Sequence, residues 1–230
     1  MIHNVPFERP DSETVAALYG LPVAAVYDAL MAMGVRRCFV EGVRPITPRR
    51  VMVGPAVTLH YLPMREDLLP AGDEERISWA DFQALEFAQS GDVLVFDVGG
   101  LRPAAVLGDV FTTRLKVRGA TGVIIDGYVR DVKELVASGL VAFSRGSNAV
   151  PVTAEVMPAA LNVPVQCGGV TVMPGDLVVS DDDGVVIVPR KLAAEVAEHA
   201  REKETLEAFI REQLTANPDM STGTLYRRNA

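Results

Sequence analysis

The sequence predicts an α/β fold, and three observations carry that reading. Short, almost uninterrupted apolar runs (DVLVFDVGG at 92–100, TGVIIDG at 121–127, LVAFSRG at 140–146) alternate with segments of ten or so residues that keep helical spacing. Such alternation is the mark of strands joined by crossover helices. From residue 162 the character changes. NVPVQCGGVTVMPGDLVVSDDDGVVIVP strings short β segments together through Gly-Gly, Pro-Gly-Asp and Asp-Asp-Gly turns, with no helix between them. This predicts a hairpin or meander layer. The run RKLAAEVAEHAREKETLEAFIREQL at 190–214 then reads as one long amphipathic helix.

The remaining elements follow in order. SETVAALYGLPVAAVYDALMAMG gives two helical pieces, the first capped by Ser12, with a break at Gly20-Leu21-Pro22. VMVGPAVTLHYL alternates as a strand, and PMREDLLPAGDEERIS reads as an exposed loop. WADFQALEFAQSG is a helix that stops at Gly91. LGDVFTTRLKVRGA and VRDVKELVASG are the next two helices, each preceding a buried strand. The last residues, TANPDMSTGTLYRRNA, suit a mobile or partner-docked tail. No linker divides the chain, so residues 1–190 read as one α/β catalytic domain, with 191–230 as a C-terminal helix and tail.

Composition narrows the function. Of 230 residues, 49% are hydrophobic and 23% charged, and no apolar run reaches the length of a membrane span. The N-terminus lacks the basic-then-apolar pattern of a signal peptide, which predicts a cytoplasmic protein. A net charge of −8 is a poor match for a polyphosphate backbone, and the three arginines of VRPITPRR have no interleaved aromatics, so neither nucleic acid nor membrane is expected as a partner. Cys38 and Cys167 lack metal-ligand spacing and read as free buried thiols. His3, His60 and His199 share no spacing either. A metal would therefore rest on oxygen ligands, which points to a hard cation such as Mg²⁺ or Mn²⁺.

In a parallel α/β arrangement, ligands gather beyond the C-terminal strand ends, where helix N-termini point. Two places qualify. One follows DVLVFDVGG, where Gly108-Asp109-Val110-Phe111 opens a helix whose first N–H groups can bind an anion. The other is Arg130-Asp131, directly after GVIIDGYV. If the two strands are neighbours, Asp109, Arg130 and Asp131 converge: donors for an anion, a guanidinium fork, and two carboxylates for a hard cation and its waters. That set suits a small 2-oxo acid. A structural alternative stands beside it. Asp109 also serves as a first-turn acid that complements the helix dipole, and Arg130-Asp131 as a solvated helix start.

The spacing from Asp109 to Arg130-Asp131 resembles the aspartate–arginine–aspartate motif of the 4-hydroxy-4-methyl-2-oxoglutarate / 4-carboxy-4-hydroxy-2-oxoadipate aldolases. These are class II pyruvate aldolases that share their fold with the protein regulator of ribonuclease E activity. The likeness extends from VYDAL and VGPAVTL through GDVLVFDVGG and LGDVFTTRLKVRGATGVIIDGYVRD to the PGDLVVSDDDGVVIVP hairpin. The resemblance implies a layered α/β/β/α sandwich of the swivelling phosphohistidine-domain type, assembled as a homotrimer or homohexamer. It implies Mg²⁺ or Mn²⁺ on Asp131, and the backbone of Gly108, Asp109, Val110 and Phe111 on the carboxylate of pyruvate. Arg130 would stabilise the enolate, and Asp109 would hold metal-bound water and assist proton transfer. Oxaloacetate decarboxylation is the expected side activity. The family also takes an acid from the C-terminal helix of an adjacent subunit, for which Glu202 and Glu204 are the candidates here, alongside their reading as a solvated face. The rival function is a non-catalytic protein-binding regulator of a ribonuclease on the same scaffold. Phe111 and two threonines depart from the family's helix start, and REDLLPAGDEER and FSRGSNAV are placed to line or cover the pocket.

Other polar residues have structural readings. Asp97 and Asp126 end the two key strands, with Asp126-Gly127 as a turn pair, and Asp181-Asp182-Asp183-Gly184 is a hairpin turn. Arg145 either meets a second substrate carboxylate or forms a structural ion pair. His60 reads as a satisfied core histidine, Trp79 and Phe82 as packing, and Tyr128 as a possible pocket wall.

Overall fold

Which side chains are buried together reveals four layers, α/β/β/α. The computed structural model describes residues 3–4, 6–47, 51–69, 71–100, 103–223 and 225. In chain order the elements are β1 (His3–Asn4), α1 (Ser12–Leu18), α2 (Val23–Ala32), β2 (Arg44–Pro45), β3 (Met52–Pro63), α3 (Asp73–Ile77), α4 (Ala80–Phe87), β4 (Val93–Asp97) and β5 (Ala105–Leu107). There follow α5 (Asp109–Arg118), β6 (Gly122–Val129), α6 (Val132–Ser138), β7 (Val141–Ser147), α7 (Val152–Glu155) and β8 (Val156–Leu161). The chain ends with β9 (Val165–Cys167), β10 (Val170–Val172), β11 (Leu177–Asp181), β12 (Gly184–Val188) and α8 (Ala193–Ala216).

The main sheet runs β1-β8-β3-β4-β6-β7-β2, with β3, β4, β6 and β7 mutually parallel. Side chains on a strand point alternately to opposite faces, so one strand feeds two cores. Leu94 and Phe96 of β4, with Val123 and Ile125 of β6, pack toward α4, α5 and α6. Val93 and Val95, with Ile124, face the second β layer, where Val178 of β11 and Val185 and Ile187 of β12 meet them. The opposite face of that hairpin, Leu177, Val179, Val186 and Val188, is covered by α1, α2 and the first half of α8. Strand β3 joins the two β layers, since Met52 to Pro55 pair with β11 and Ala56 to His60 pair with β4. Each fully buried Leu or Phe here contributes roughly 1.5–3 kcal/mol through removal from water. No single helix among the described residues is long and apolar enough to cross a membrane.

Several details differ from the sequence expectation. The cap of α1 is Asp11, whose carboxylate accepts the Thr14 N–H at 2.7 Å; Ser12 is the first helical residue. The expected loop at 63–78 contains a 3₁₀ turn, Glu66–Leu68, and α3. Helix α4 ends at Phe87, short of Gly91, because the backbone extends at Ala88 and the Asp92 carboxylate takes the Gln89 N–H. Strands β5 and β8 are additions. Asp126-Gly127 is not a turn: β6 continues through it to Val129 with a bulge, the register to β7 shifting between Ile125 and Tyr128 before the parallel pairing to β5 and β7 resumes. The Asp181 to Gly184 hairpin turn is present; Asp181 accepts the Asp183 N–H and, with its other oxygen, the Val23 N–H that starts α2. Both cysteines are free and buried, and burial pushes both thiols up. The end of the arginine stretch, residues 48–50, and most of the extreme C-terminus lie outside the described residues.

Candidate active site

The short strand β5 creates the site. It pairs in parallel with the end of β6, Ala105 beside Tyr128 and Leu107 beside Val129, and the Arg130 N–H donates to the Leu107 carbonyl at 2.9 Å. Gly108, which precedes α5, is thereby laid against Arg130-Asp131, which precedes α6. Gly108 has ordinary extended backbone, yet a Cβ there would sit 2.7 Å from Asp131 Oδ2 and 3.0 Å from Arg130 Nε. Any larger residue would push these two side chains aside.

Asp131 adopts the left-handed conformation, φ 55° and ψ 44°, at the start of α6. Outside glycine, this conformation is best tolerated by Asp and Asn. It turns the carboxylate away from its own helix, which it does not cap, and toward the neighbouring one. Asp131 Oδ2 accepts the Asp109 N–H at 3.0 Å and lies 3.6 Å from Arg130 Nε. Asp109 Oδ1 accepts the Val110 N–H at 2.7 Å. Two of the expected anion donors are thus engaged internally, while the Phe111 N–H has no partner among the described residues. Thr112 donates its hydroxyl back to the Gly108 carbonyl at 2.8 Å, which tightens the first turn.

Asp109, Arg130 and Asp131 line an open cleft of about 690 Å³ together with Val132, Ser147, Asn148 and Ala149. Arg130 and Asp131 keep 47% and 38% of their side-chain surface in water. Asp131 Oδ1 and Asp109 Oδ2 make no hydrogen bond among the described residues. Two spare carboxylate oxygens on a solvated cleft fit a hard cation that retains several waters. No set of three or more His, Cys, Asp or Glu clusters closely enough to cage a metal among the described residues, so water would supply the remaining ligands.

A second cavity of about 230 Å³ adjoins it, sharing Asp109 and Arg130 with the cleft and adding Gly108. Phe82, Val106, Phe111 and Val152 line it, together with Arg76. Phe82 and Phe111 meet edge to face at 5.1 Å. Ser147 to Ala149 and Arg76 fall in the two segments expected to line or cover the pocket. Val106 and Val152 were not singled out from sequence; β5 and α7, which carry them, are too short to show a period.

The remaining candidates lie elsewhere. Glu202 and Glu204 are on α8, which packs on α1 and α2, and neither lines either cavity. Glu204 pairs with Arg211 at 2.5 Å; Glu202 is exposed and unpaired among the described residues. Arg145 forms the structural ion pair, donating to buried Asp126. His60 is half-exposed rather than buried in the core, with Nδ1 2.9 Å from Asp97 Oδ2. Tyr128 lines neither cavity, and Trp79 and Phe82 both stack against the Arg76 guanidinium.

The layered fold, with an Asp–Arg–Asp group at the ends of parallel strands, defines a scaffold on which an oxo-acid enzyme or a protein-binding module can be built. The chain belongs to the Aldolase/RraA family, whose profile matches residues 23–187. A relative from Halalkalibacterium halodurans, provisionally named 4-hydroxy-4-methyl-2-oxoglutarate aldolase, is 30% identical over 184 residues, which is 80% of each chain. The crystal structure of Streptomyces coelicolor RraAS2, described as an unusual member of the RNase ES inhibitor RraA protein family, superposes with a TM-score of 0.82 at 36% identity, covering 90% of this chain and 99% of that one. An uncharacterised Pseudomonas syringae protein superposes equally well, TM-score 0.82 at 27% identity, over 96% and 100% of the two chains.

Proposed function

We propose that this chain is a divalent-metal-dependent class II aldolase. It would cleave a 4-hydroxy-2-oxo di- or tricarboxylic acid, of the 4-hydroxy-4-methyl-2-oxoglutarate or 4-carboxy-4-hydroxy-2-oxoadipate type, to pyruvate and a second oxo acid. The observation that carries the reading is the pairing of an exposed guanidinium, Arg130, with two carboxylates that keep unused oxygens on the same cleft. Asp131, with Asp109 behind it, would hold Mg²⁺ or Mn²⁺; when bound, the ion supplies a positive charge beside the 2-oxo oxygen. Arg130 binds the 2-oxo acid end and stabilises negative charge as the enolate forms. The Phe111 N–H is the free donor of the first turn of α5 for the substrate carboxylate. Asp109 orients the water that takes the 4-hydroxyl proton. The C3–C4 bond then breaks, and C3 is protonated to give pyruvate. Oxaloacetate passes through the same enolate, so its decarboxylation is the side activity.

The active form in this reading is a homotrimer or homohexamer in which the tail-bearing helix α8 reaches an adjacent copy. Of the two candidate acids, Glu202 is the one free to act across the interface, because Glu204 is held by Arg211. The second reading, a non-catalytic regulator of a ribonuclease, draws its support from the Streptomyces relative. The two separate on one experiment: pyruvate release from 4-hydroxy-4-methyl-2-oxoglutarate and from oxaloacetate, with Mg²⁺, with Mn²⁺ and with chelator. The aldolase reading expects release that chelator abolishes. Release no faster than with metal ion alone would reject it in favour of the regulator.

A further inference from the structure

We propose that the apolar cavity beside Gly108 receives the C4 branch of the substrate, and that this chain therefore selects 4-hydroxy-2-oxo acids with an apolar branch over those whose branch carries another carboxylate. The proposal rests on the aldolase reading and narrows its substrate. Asp109 and Arg130 border both cavities, so a 2-oxo acid held by Arg130 has its further carbons at the mouth of the smaller one. The walls there are Phe82, Val106, Val110, Phe111, Pro151 and Val152. At about 230 Å³ the space exceeds the roughly 150 Å³ that suffices for benzene in an apolar cavity.

The Arg76 cation in the wall does not change this preference. Arg76 donates two hydrogen bonds, 2.8 and 2.5 Å, to Asp81, whose side chain is 1% exposed. Its guanidinium also lies 4.7 Å from the Trp79 ring centroid and 4.8 Å from that of Phe82. Its charge is thus matched and its faces are covered. With Arg130 and the Phe111 N–H taken by the 2-oxo acid end, a branch carboxylate would lose its water and meet only apolar walls and the already matched Arg76, which is unfavourable. An apolar branch gains burial instead. During cleavage the proton leaves the 4-hydroxyl and the C3–C4 electron pair passes into the pyruvate enolate. C4 departs as the carbonyl carbon of the second product, still carrying its branch. The cavity thus touches only the departing fragment.

The test compares kcat/KM for 4-hydroxy-4-methyl-2-oxoglutarate, with a methyl branch, and 4-carboxy-4-hydroxy-2-oxoadipate, with a carboxymethyl branch. Both are measured for the wild-type chain and for Val152→Lys. Exchange of the pyruvate methyl protons in D₂O, which involves no C4 branch, is followed in parallel. The expected result is a preference of about tenfold or more for the methyl branch. Val152→Lys should narrow or reverse that preference while the exchange rate is kept, which also shows that the variant is folded. Exchange with equal or reversed wild-type preference would overturn the assignment of the cavity and leave the enolate site standing. No metal-dependent exchange in the wild type would overturn the aldolase reading, and the cavity's role with it.

Discussion

Two Asp–Arg groupings lie at the same end of the same sheet, and they differ in almost every physical respect. One is a row across four neighbouring strands. His60 pairs in register with Asp97, Asp126 lies one residue beyond the paired Phe96 and Ile125, and Arg145 lies one residue beyond Ser144, the partner of Ile125. The row faces the β9–β10 hairpin, which donates the Gln166 N–H to Asp97 and the Gly168 N–H to Asp126. Asp126 is 2% exposed, with one oxygen on Arg145 and the other on Gly168. The second grouping, Asp109 with Arg130-Asp131, lies on helix-start loops in water and keeps a spare oxygen on each carboxylate. Residue type does not separate a brace from a reactive site. Unused lone pairs on a solvated surface do, because only they can accept a cation, a water or a substrate proton.

That contrast can be broken or sharpened by substitution, beginning with the largest effect. Asp131→Asn keeps a residue that tolerates φ 55° but removes the charge; pyruvate release should fall by about 10³-fold with the melting temperature nearly unchanged. Steady-state kinetics beside a thermal melt reads both, and turnover above a tenth of wild type would remove Asp131 from the site. Asp126→Ala should do the reverse: a loss of about 3 kcal/mol in urea unfolding, because a buried N–H and a guanidinium are left unmatched. A loss under about 1 kcal/mol would mean the row is not a brace. Gly108→Ala places a methyl group against Asp131 and Arg130, and a displacement of this size should lower kcat by about 10²-fold with a smaller stability cost. The smallest signal is chemical. Cys167 lies beneath the row, its thiol raised first by burial and then by Asp126 and Asp97. It should resist alkylation in the native protein and in Asp131→Asn, and label faster in Asp126→Ala, as mass spectrometry would show.

The sheet and its helices are legible in the sequence where segments are long enough to carry a period. LGDVFTTRLKVRGA and VRDVKELVASG show their helices, and the Gly-Gly and Asp-Asp-Gly turns mark the hairpins. The convergence of Gly108 and Asp109 with Arg130-Asp131 is legible only on the condition that their strands are neighbours. That condition holds, since β4 and β6 pair in parallel, but β5, which brings Gly108 itself beside Arg130, has three residues and no pattern of its own. Strand β8 contains Pro158, which pairs with Tyr61 of β3, while the described part of β1 pairs only with Ala160 and Leu161; a proline weakens the strand signal. Asp126 misleads because Asp-Gly ordinarily marks a turn, whereas here burial against Arg145 and Gly168 holds it in a strand. The apolar side cavity is built from four separate segments and has no local signature.

The left-handed backbone at Asp131 also bears on how such a chain can change over evolutionary time. Most residues are disfavoured at that torsion, but Asn and Gly are not. A single exchange of Asp for either would erase the charge and leave the loop, the sheet and the surface around it in place. In the aldolase reading proposed above, catalysis would thus be easier to lose than shape, and a descendant that lost it would inherit an intact platform for selection on binding. One scaffold can in this way supply relatives with names as different as an aldolase and an RNase inhibitor.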